Sequence, residues 1–321
     1  YILTLYNLCT FNKYDVLFLY RGSSISTFIL VTFLKLIGKK VVLELNEYPY
    51  ATSGSKITRI KWVNQFLLWA TFKLVWPRVD GIVCISEALV SLVHIKAPKA
   101  KVLKVPIFIG DKKKSIDSFK LVDDLLEKNE KYIFHAGSLS EKKDGIIKMI
   151  SAYVKAANLL KVKGIKLRLL LTNKKTQKDI WHKIIAILSD NNLLDHLIIT
   201  GFLSEDELNY CLKNASVLVI NKPITKQNKF NFPTKVGDYL NSKTPVVIAA
   251  KGIELNNYIA SGEEAIVVEP DDIDEMARNI FNLLIDSKKN KTIGINGWEC
   301  AQKNFHYSSH SDTIAKFLRG I

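Results

Sequence analysis

The feature that most constrains this chain is a regular alternation of short apolar segments with longer segments of helical periodicity. Strands that alternate with helices favour a parallel sheet covered by helices on both faces. Because the alternation is interrupted once and then restarts, the sequence predicts an α/β protein with two doubly wound, Rossmann-like domains facing each other across a cleft. The predicted strands are 16–20, 40–45, 81–85, 102–106, 132–136, 165–171, 197–200, 216–220, 246–249 and 265–268.

The expected domain boundaries follow from the polar segment that interrupts this alternation. Segment 110–117 contains an aspartate followed by three lysines, a composition typical of a linker. We therefore expect an N-terminal domain over 1–110, a linker over 111–130 and a C-terminal domain over 131–304. Residues 305–321 are expected to form a C-terminal helix, with a return to the N-terminal domain left open.

The composition narrows the class of protein. The 321 residues are 48% hydrophobic and 24% charged, which describes a soluble globular chain. The four cysteines share no short spacing, so we expect reduced buried thiols and a cytoplasmic location. We also expect no metal site. Of the net charge of +15, the first 110 residues hold fourteen Lys and Arg against five Asp and Glu. This basic first third of the chain favours an anionic partner, for which a membrane surface is preferred over nucleic acid.

Segment 231–247 reads Asn-Phe-Pro-Thr-Lys-Val-Gly-Asp-Tyr-Leu-Asn-Ser-Lys-Thr-Pro-Val-Val. Pro233 fits the first turn of a helix, and the unpaired N–H groups of a helix start can hold a phosphate at Thr234 and Lys235. Asp238 lies one turn later, where a carboxylate can accept hydrogen bonds from a ribose. The alternative is an ordinary capped helix with a Lys235–Asp238 surface pair.

Two loops after predicted strands offer further contacts to a nucleotide. Gly137 and Ser138 follow one strand, and Gly137 lets a backbone approach a ligand closely, while Lys143 supplies a point charge for a diphosphate. Gly201 and Phe202 follow another strand. The alternatives are a solvated turn with a charge cluster in the first loop and an ordinary strand–glycine–helix turn in the second.

Strand ends of the first domain supply candidates on the other side of the predicted cleft. Arg21, Asn46 and Glu47 each follow a predicted strand, and doubly wound sheets bind ligands at the carboxyl ends of their strands. Glu47 is the catalytic candidate among them, and the alternative is that it caps the following loop. His135, at a strand end of the second domain, is predicted to be a packed residue.

The Phe-Pro-Thr-Lys, Asp-Tyr-Leu and Pro-Val-Val steps of 231–247 resemble the donor-site segment of glycosyltransferase family 4, the group 1 glycosyltransferases of the GT-B fold. The family pattern has two glutamates eight positions apart, of which the second contacts the ribose. Asp238 takes that second place, whereas Phe230 falls on the first and cannot act as a carboxylate. Ser138 likewise stands where the family commonly has arginine.

The resemblance implies a retaining transfer of a sugar from a nucleotide sugar, with UDP preferred, to an acceptor hydroxyl. It implies that Lys143 and Lys235 stabilise the leaving diphosphate without a divalent metal or another cofactor, and that the loop at Phe202 holds the nucleobase. The implied setting is assembly of a bacterial surface polysaccharide on a lipid-linked or oligosaccharide acceptor. Since the family begins with a strand and a glycine-rich loop, we expect that an N-terminal piece precedes Tyr1.

Two other functions stay open. One is a catalytically degenerate family member that binds a nucleotide or a partner glycosyltransferase, which Phe230 and Ser138 favour. The other is a sugar-nucleotide epimerase of the same fold, which requires catalytic carboxylates and a histidine that the sequence does not offer as a set.

An aromatic pattern in the first domain predicts peripheral attachment to the inner face of the cell membrane. Trp62, Phe66, Trp69 and Trp76 fall on one stripe of a helix predicted from Ser55 to about residue 75. Tryptophan beside basic side chains is typical of an interfacial helix. The alternative is that this stripe faces the core. The basic residues flanking the stripe are Lys56, Arg59, Lys61, Lys73 and Arg78.

Overall fold

A computed structural model describes residues 14–20, 25–49, 61–111, 116–137, 139–172, 178–250 and 254–321. These residues form two compact units. Unit 1 contains the residues up to Pro106 together with Phe230–Phe232 and Ser308–Ile321. Unit 2 contains Ile107–Lys229 and Pro233–Tyr307.

Unit 1 is built on a four-stranded parallel sheet in the order β1-β2-β3-β4, with helices between the strands. Its elements are β1 Val16–Tyr20, α1 Ile25–Leu36, β2 Lys40–Leu45, α2 Lys61–Ala70, β3 Gly81–Cys84, α3 Glu87–Lys96 and β4 Lys101–Lys104. The central strands β2 and β3 are almost wholly apolar and buried, as strands covered on both faces must be.

Helix α2 continues into a π-helix over Thr71–Val75 and a 3₁₀ turn over Trp76–Arg78. A π-helix winds more loosely than an α-helix, so it rotates the residues that follow it off the preceding stripe. Trp76 is therefore fully buried, whereas Trp62, Phe66 and Trp69 are exposed. The prediction that Trp76 shares their stripe is therefore wrong. The alternative that the stripe faces the core is wrong for Trp62, Phe66 and Trp69.

Unit 2 is built on a six-stranded parallel sheet in the order β10-β9-β8-β5-β6-β7. Its strands are β5 Lys131–His135, β6 Leu167–Leu171, β7 Leu197–Ile199, β8 Val217–Lys222, β9 Val246–Ala250 and β10 Ile266–Val268. Its helices are α4 Lys120–Glu127, α5 Glu141–Asp144, α6 Ile146–Lys161, α7 Lys178–Asp190, α8 Glu205–Asn214, α9 Lys226–Phe230, α10 Lys235–Asn241, α11 Ile273–Ile285 and α12 Ser287–Phe305. The predicted α/β fold with two parallel sheets is confirmed.

The strand order of unit 2 reverses between β5 and β8. From β5 the chain adds β6 and β7 on one side, and it then crosses to add β8, β9 and β10 on the other. Such a switch point leaves a crevice at the carboxyl ends of the two strands, where doubly wound sheets bind their ligands. His135 ends β5 and Lys222 ends β8, so the loops after these two residues border the crevice.

Two further helices lie in the segments that flank the predicted C-terminal domain, 131–304. Helix α4 lies inside the predicted linker 111–130 and belongs to unit 2, where its residues Val122 and Leu125 are buried. The sequence interpretation missed it because the polar residues around it dominate the segment. A last helix, α13, spans Ser311–Arg319 and belongs to unit 1.

Candidate functional site

The loop after β5 is held by neighbours on both sides. The N–H of Gly137 donates a hydrogen bond to Thr172 Oγ1 at 2.8 Å, and Thr172 follows the end of β6. The N–H of Ala136 donates to the hydroxyl oxygen of Tyr239 at 2.9 Å, and Tyr239 is a buried residue of α10. These two bonds fix the backbone that leaves β5 at the switch point.

Gly137 is required where it stands. Its φ is +123°, a conformation that side chains rarely permit, and a Cβ built on it would lie 2.7 Å from Nζ of Lys235. The side chain of Lys235, from the first turn of α10, thus covers the Gly137 backbone. The structure brings together two residues that the sequence assigned to the same phosphate, although they are far apart in the chain.

A buried carboxylate, which the sequence interpretation missed, joins Lys235 at this point. Oδ1 of Asp144 lies 2.9 Å from Nζ of Lys222 and 3.7 Å from Nζ of Lys235. The side chain of Asp144 is 5% exposed, against 15% for Lys222 and 25% for Lys235. Asp144 ends the charged run of α5 and Lys222 ends an apolar strand, which are the sequence signals that could have singled them out.

The charges of this cluster act on one another. Burial by itself opposes ionisation of Asp144, but the ammonium groups of Lys222 and Lys235 hold its pKa below the ordinary value. Burial lowers the pKa of Lys235, and the neighbouring charge of Lys222 lowers it further while Asp144 acts in the opposite direction. The cluster contains two ammonium groups for one carboxylate, so it carries an excess positive charge at the switch point.

Polar side chains of β8 and α9 fix the backbone around the cluster. Asn221 Nδ2 donates to the Gly145 carbonyl at 2.8 Å, and Asn228 Nδ2 donates to the Pro223 carbonyl at 2.8 Å and to the Lys143 carbonyl at 3.3 Å. Lys222 Nζ also reaches the Lys143 carbonyl at 3.4 Å. Lys143 therefore meets the cluster through its main chain, while its side chain is exposed. Its role as a phosphate cation stays a prediction.

Helix α10 is short. It has seven residues, Lys235–Asn241, and its N-cap residue Thr234 makes no side-chain cap bond. A helix of two turns has a small dipole, so a full charge from Lys235 is the stronger attraction for an anion. The ion pair that the structure gives Lys235 is with Asp144, which is not the predicted surface pair with Asp238.

Asp238 and Phe202 both lie near the surface of unit 2. Desolvation by the atoms packed around the Asp238 carboxyl raises its pKa, and the nearby carboxylate of Glu205 raises it further. Glu205 begins α8, directly after the loop of Gly201 and Phe202. Phe202 is fully exposed. The structure thus places the α8 loop and Asp238 within electrostatic reach of each other.

The loop before α8 has the local structure that its sequence predicts. Ser204 Oγ accepts a hydrogen bond from the Glu207 N–H, and the Glu207 carboxylate accepts one from the Ser204 N–H at 2.7 Å. The sequence Ser-x-x-Glu at 204–207 predicts this reciprocal pair, a capping box, and the structure contains it. Gly201 has a φ of +77°, which lets the chain turn from β7 into this cap.

The acceptor-side candidates belong to unit 1. Asn46 and Glu47 follow β2 and are partly buried. Phe230 also belongs to unit 1, where its ring lies 4.9 Å from that of Tyr48 and its carbonyl accepts a hydrogen bond from Ser86 at 2.7 Å. Phe230 therefore has a packing role at the place where the resembled family has its first glutamate. Arg21 and Ser138 lie outside the described residues.

Several expectations from composition concern the whole chain. Cys84, Cys211 and Cys300 are free and buried, as predicted, and Cys9 lies outside the described residues. Within the described part of the chain, no cluster of three or more His, Cys, Asp or Glu residues is arranged to hold a metal ion. Among the same residues, no helix has the length and hydrophobicity that crossing a membrane requires. His135 is buried at the end of β5, as predicted.

Part of the chain matches a known protein family. Residues 130–286 match the family described as Glycosyl transferases group 1. No functionally curated protein matches the chain by sequence. The match over 130–286 covers most of unit 2, including both strands of the switch point and the charge cluster.

Solved structures match almost the full chain at low sequence identity. HepE from Anabaena, in complex with UDP and glucose, matches with a TM-score of 0.72 and 15% identity over 99% of this chain and 82% of that chain. Sucrose-phosphate synthase from Thermosynechococcus elongatus has a TM-score of 0.70 and 16% identity over 98% and 76%. A glycosyltransferase from Rickettsia africae has a TM-score of 0.67 and 14% identity over 98% and 79%. Residues 130–286 therefore match a group 1 glycosyltransferase domain, and the chain as a whole shares the GT-B fold of these structures.

Proposed function

We propose that this protein is a retaining glycosyltransferase that moves a sugar from a UDP-sugar to an acceptor hydroxyl. The observation that carries the proposal is the excess positive charge of Lys222, Lys235 and Asp144 at the switch point of a group 1 glycosyltransferase domain. A diphosphate supplies the negative charge that this cluster lacks. HepE, which shares the fold, has been solved with UDP-glucose, and this supports a UDP-sugar as the donor.

In this proposal the residues of unit 2 bind the donor nucleotide. The Gly137 backbone, with Ser138 beside it, allows the diphosphate to approach Lys235, and Lys143 stands at the same loop. Asp238 accepts hydrogen bonds from the ribose. The remaining nucleotide contacts are the main chain of Gly201, the ring of Phe202 against the nucleobase, and the N–H of Thr234.

The proposed chemistry needs no protein nucleophile. The bond between the anomeric carbon and the diphosphate oxygen breaks, the acceptor oxygen bonds to the same face of that carbon, and the leaving phosphate takes the acceptor proton. Lys235 stabilises the charge that develops on the diphosphate. Electrostatic stabilisation of this kind is usually the largest single contribution to lowering an activation barrier. No divalent cation is required if the lysines carry this charge. Glu47, with Asn46 and Arg21, is proposed to orient the acceptor.

We further propose that the acceptor is lipid-linked or an oligosaccharide in bacterial surface polysaccharide assembly, and that the enzyme is a cytoplasmic protein held at an anionic membrane surface. The exposed aromatic ridge, which we define as Trp62, Phe66 and Trp69 of α2, supports this. Trp62 is 70% exposed, and the rings of Phe66 and Trp69 are stacked at 5.7 Å.

The charges near the ridge favour an anionic lipid surface over a protein partner. Segments 25–36 and 61–79 contain no acidic residue, and Lys73 and Arg78 are exposed just after the ridge. On α1, which packs against the continuation of α2, Ile29 and Leu36 are also exposed. Tryptophan and phenylalanine beside lysine and arginine form the composition that inserts at the boundary between water and lipid.

The experiment is a transferase assay with a panel of UDP- and GDP-sugars, lipid-linked acceptors and soluble oligosaccharides. We expect release of UDP that depends on the acceptor, and a product whose anomeric configuration, measured by NMR, equals that of the donor. Inverted configuration would reject the retaining mechanism. Nucleotide binding without turnover would favour the degenerate alternative, which the packing of Phe230 against Tyr48 supports.

A further inference from the structure

The second lysine of the charge cluster, Lys222, is not among the site residues that the sequence predicts. Lys222 ends β8, and its ammonium lies 2.9 Å from Asp144 Oδ1, the same oxygen that lies 3.7 Å from the Lys235 ammonium. Both lysine side chains are mostly buried, at 15% and 25% exposure. Lys222 is therefore the more deeply buried of the two, although only Lys235 was expected at a phosphate.

The position of Lys222 is fixed by the fold. The strand β8 pairs directly with β5, so the last residue of β8 and the loop after β5 lie at the same edge of the sheet. The Lys143 carbonyl accepts hydrogen bonds from both Lys222 Nζ and Asn228 Nδ2. Asp144 and Lys143 together hold the Lys222 ammonium on the side of the crevice that Lys235 borders.

The electrostatic balance of the cluster is incomplete without an anion. Removing an ammonium group from water is costly unless an opposite charge compensates it, and one carboxylate compensates only one of the two lysines. A structural ion pair needs Asp144 and a single lysine. A further negative charge would compensate the second lysine, and a diphosphate provides one.

We propose that Lys222 is the second cation of the diphosphate site and that Asp144 is a positioning residue that orients the Lys222 and Lys235 ammonium groups towards the two phosphates. This inference rests on the proposed function, since it assigns a residue to the same donor site. It supplies the cation for which Lys143 was selected from the sequence, because Lys143 meets the cluster through its carbonyl while Lys222 meets it through its charge.

The test measures the Kd of UDP, UMP, uridine and pyrophosphate by calorimetry for the wild type and for Lys222→Gln. Because one charge-assisted contact is lost, Lys222→Gln is expected to bind UDP and pyrophosphate about 10- to 100-fold more weakly than the wild type. Its binding of uridine is expected to weaken by less than about twofold. Lys222→Arg, which keeps the charge, is expected to stay within about threefold of the wild type for UDP. The matched control is Lys155→Gln, which removes the same charge from an exposed ion pair with Asp274 in the same unit.

A double variant separates a phosphate contact from a structural ion pair. In Lys222→Gln/Asp144→Asn one carboxylate and one ammonium are neutralised together, so the net charge of the cluster is unchanged and no buried carboxylate is left without Lys222. If Lys222 contacts phosphate, this double variant still binds UDP about tenfold or more weakly than the wild type. If it regains wild-type affinity, Lys222 serves only to compensate Asp144 and the inference is overturned.

The outcomes also separate this inference from the proposed function. If the wild type binds UDP tightly and Lys222→Gln binds it equally well, the role of Lys222 is rejected and the nucleotide site is retained. If the wild type binds pyrophosphate but not UDP, and Lys222→Gln abolishes this binding, the role of Lys222 is retained and the nucleotide as ligand is rejected. Failure of the wild type to bind either compound rejects both.

Discussion

The ammonium of Lys235 occupies the space above the Gly137 backbone in which a Cβ would lie, because a Cβ built there comes within 2.7 Å of Nζ. Gly137→Ala must therefore displace Lys235, and it must also hold a φ of +123° that L-residues avoid at a cost of about 1–2 kcal/mol or more. We expect UDP affinity to fall by about tenfold or more, since one charge-assisted contact is lost.

The control for this variant is Gly164→Ala. Gly164 also has a positive φ, +71°, but a Cβ there meets no atom within 4 Å. Calorimetry with UDP and thermal unfolding of both variants distinguish the two effects. Gly164→Ala should lose stability and keep its UDP affinity, and a Gly137→Ala variant that binds UDP like the wild type would contradict the proposed contact with Lys235.

Asp238→Ala tests the ribose contact. Loss of a charged hydrogen-bond partner is expected to weaken UDP and UMP binding by roughly 1–3 kcal/mol. The fold should persist because the carboxyl of Asp238 is at the surface of a short helix. Calorimetry with the 2′-deoxy nucleotide provides the comparison, since a ribose contact predicts a smaller effect of the variant on that ligand. Equal affinities of variant and wild type for every nucleotide would remove Asp238 from the site.

Chelation tests which charges stabilise the leaving diphosphate. If Lys235 and Lys222 carry this charge, turnover in EDTA should stay within about twofold of the untreated rate, because fixed cations already provide the electrostatic stabilisation. The measurement is UDP release before and after dialysis against EDTA. Lost turnover that Mg²⁺ or Mn²⁺ restores would contradict the lysine-based mechanism.

Liposome co-sedimentation tests the exposed aromatic ridge. Replacing Trp62, Phe66 and Trp69 by serine should strongly reduce binding to anionic vesicles, because their exposed rings would insert at the interface. Lys73→Gln and Arg78→Gln should each weaken binding by about 1 kcal/mol at low salt. The control is Leu159→Ser/Val162→Ser, which removes exposed apolar side chains from unit 2. A wild-type protein that stays in the supernatant with anionic vesicles at low salt would show that the ridge does not bind membranes.

An ion pair at the start of β5 predicts a pH-dependent contribution to stability. Arg168 donates to both carboxylate oxygens of Glu130, at 2.6 and 3.1 Å, and these hydrogen bonds lower the Glu130 pKa from 4.5 to about 2. Because the folded pKa lies below the unfolded one, the contribution is present above pH 4.5 and is lost as the pH falls towards 2.

We therefore expect Glu130→Gln to lower the free energy of unfolding by roughly 1–3 kcal/mol at pH 7. The difference from the wild type should shrink steadily between pH 5 and pH 3 in urea titrations, because the unfolded chain binds a proton at Glu130 as the pH falls below 4.5, whereas the folded carboxyl has a pKa of about 2. Glu127→Gln, at an exposed position of α4, is the control and should change little. If the free energy of unfolding of Glu130→Gln differs from that of the wild type by the same amount over this whole pH range, the role of the ion pair is contradicted.

Local sequence patterns determined the fold class and several details of the site. The alternation of apolar strands with helical segments predicts both sheets because hydrophobic periodicity reports secondary structure directly. The Ser204–Glu207 capping box and the glycine after β5 follow from turn and cap chemistry that involves only near neighbours in the chain. Lys235 and Asp238 were selected in the same way, from their spacing in one short segment.

Only the tertiary structure decided which charges meet. Asp144 and Lys222 are separated by 78 positions and come together because β5 and β8 are adjacent in the sheet, a pairing that the sequence pattern does not specify. The same holds for Phe230, which packs on Tyr48 far earlier in the chain. Trp76 is buried while Trp62, Phe66 and Trp69 are exposed, because a π-helix between them changes the winding. Periodicity fixes which face a residue takes along a regular helix, whereas strand order and helical irregularities arise from packing between distant segments.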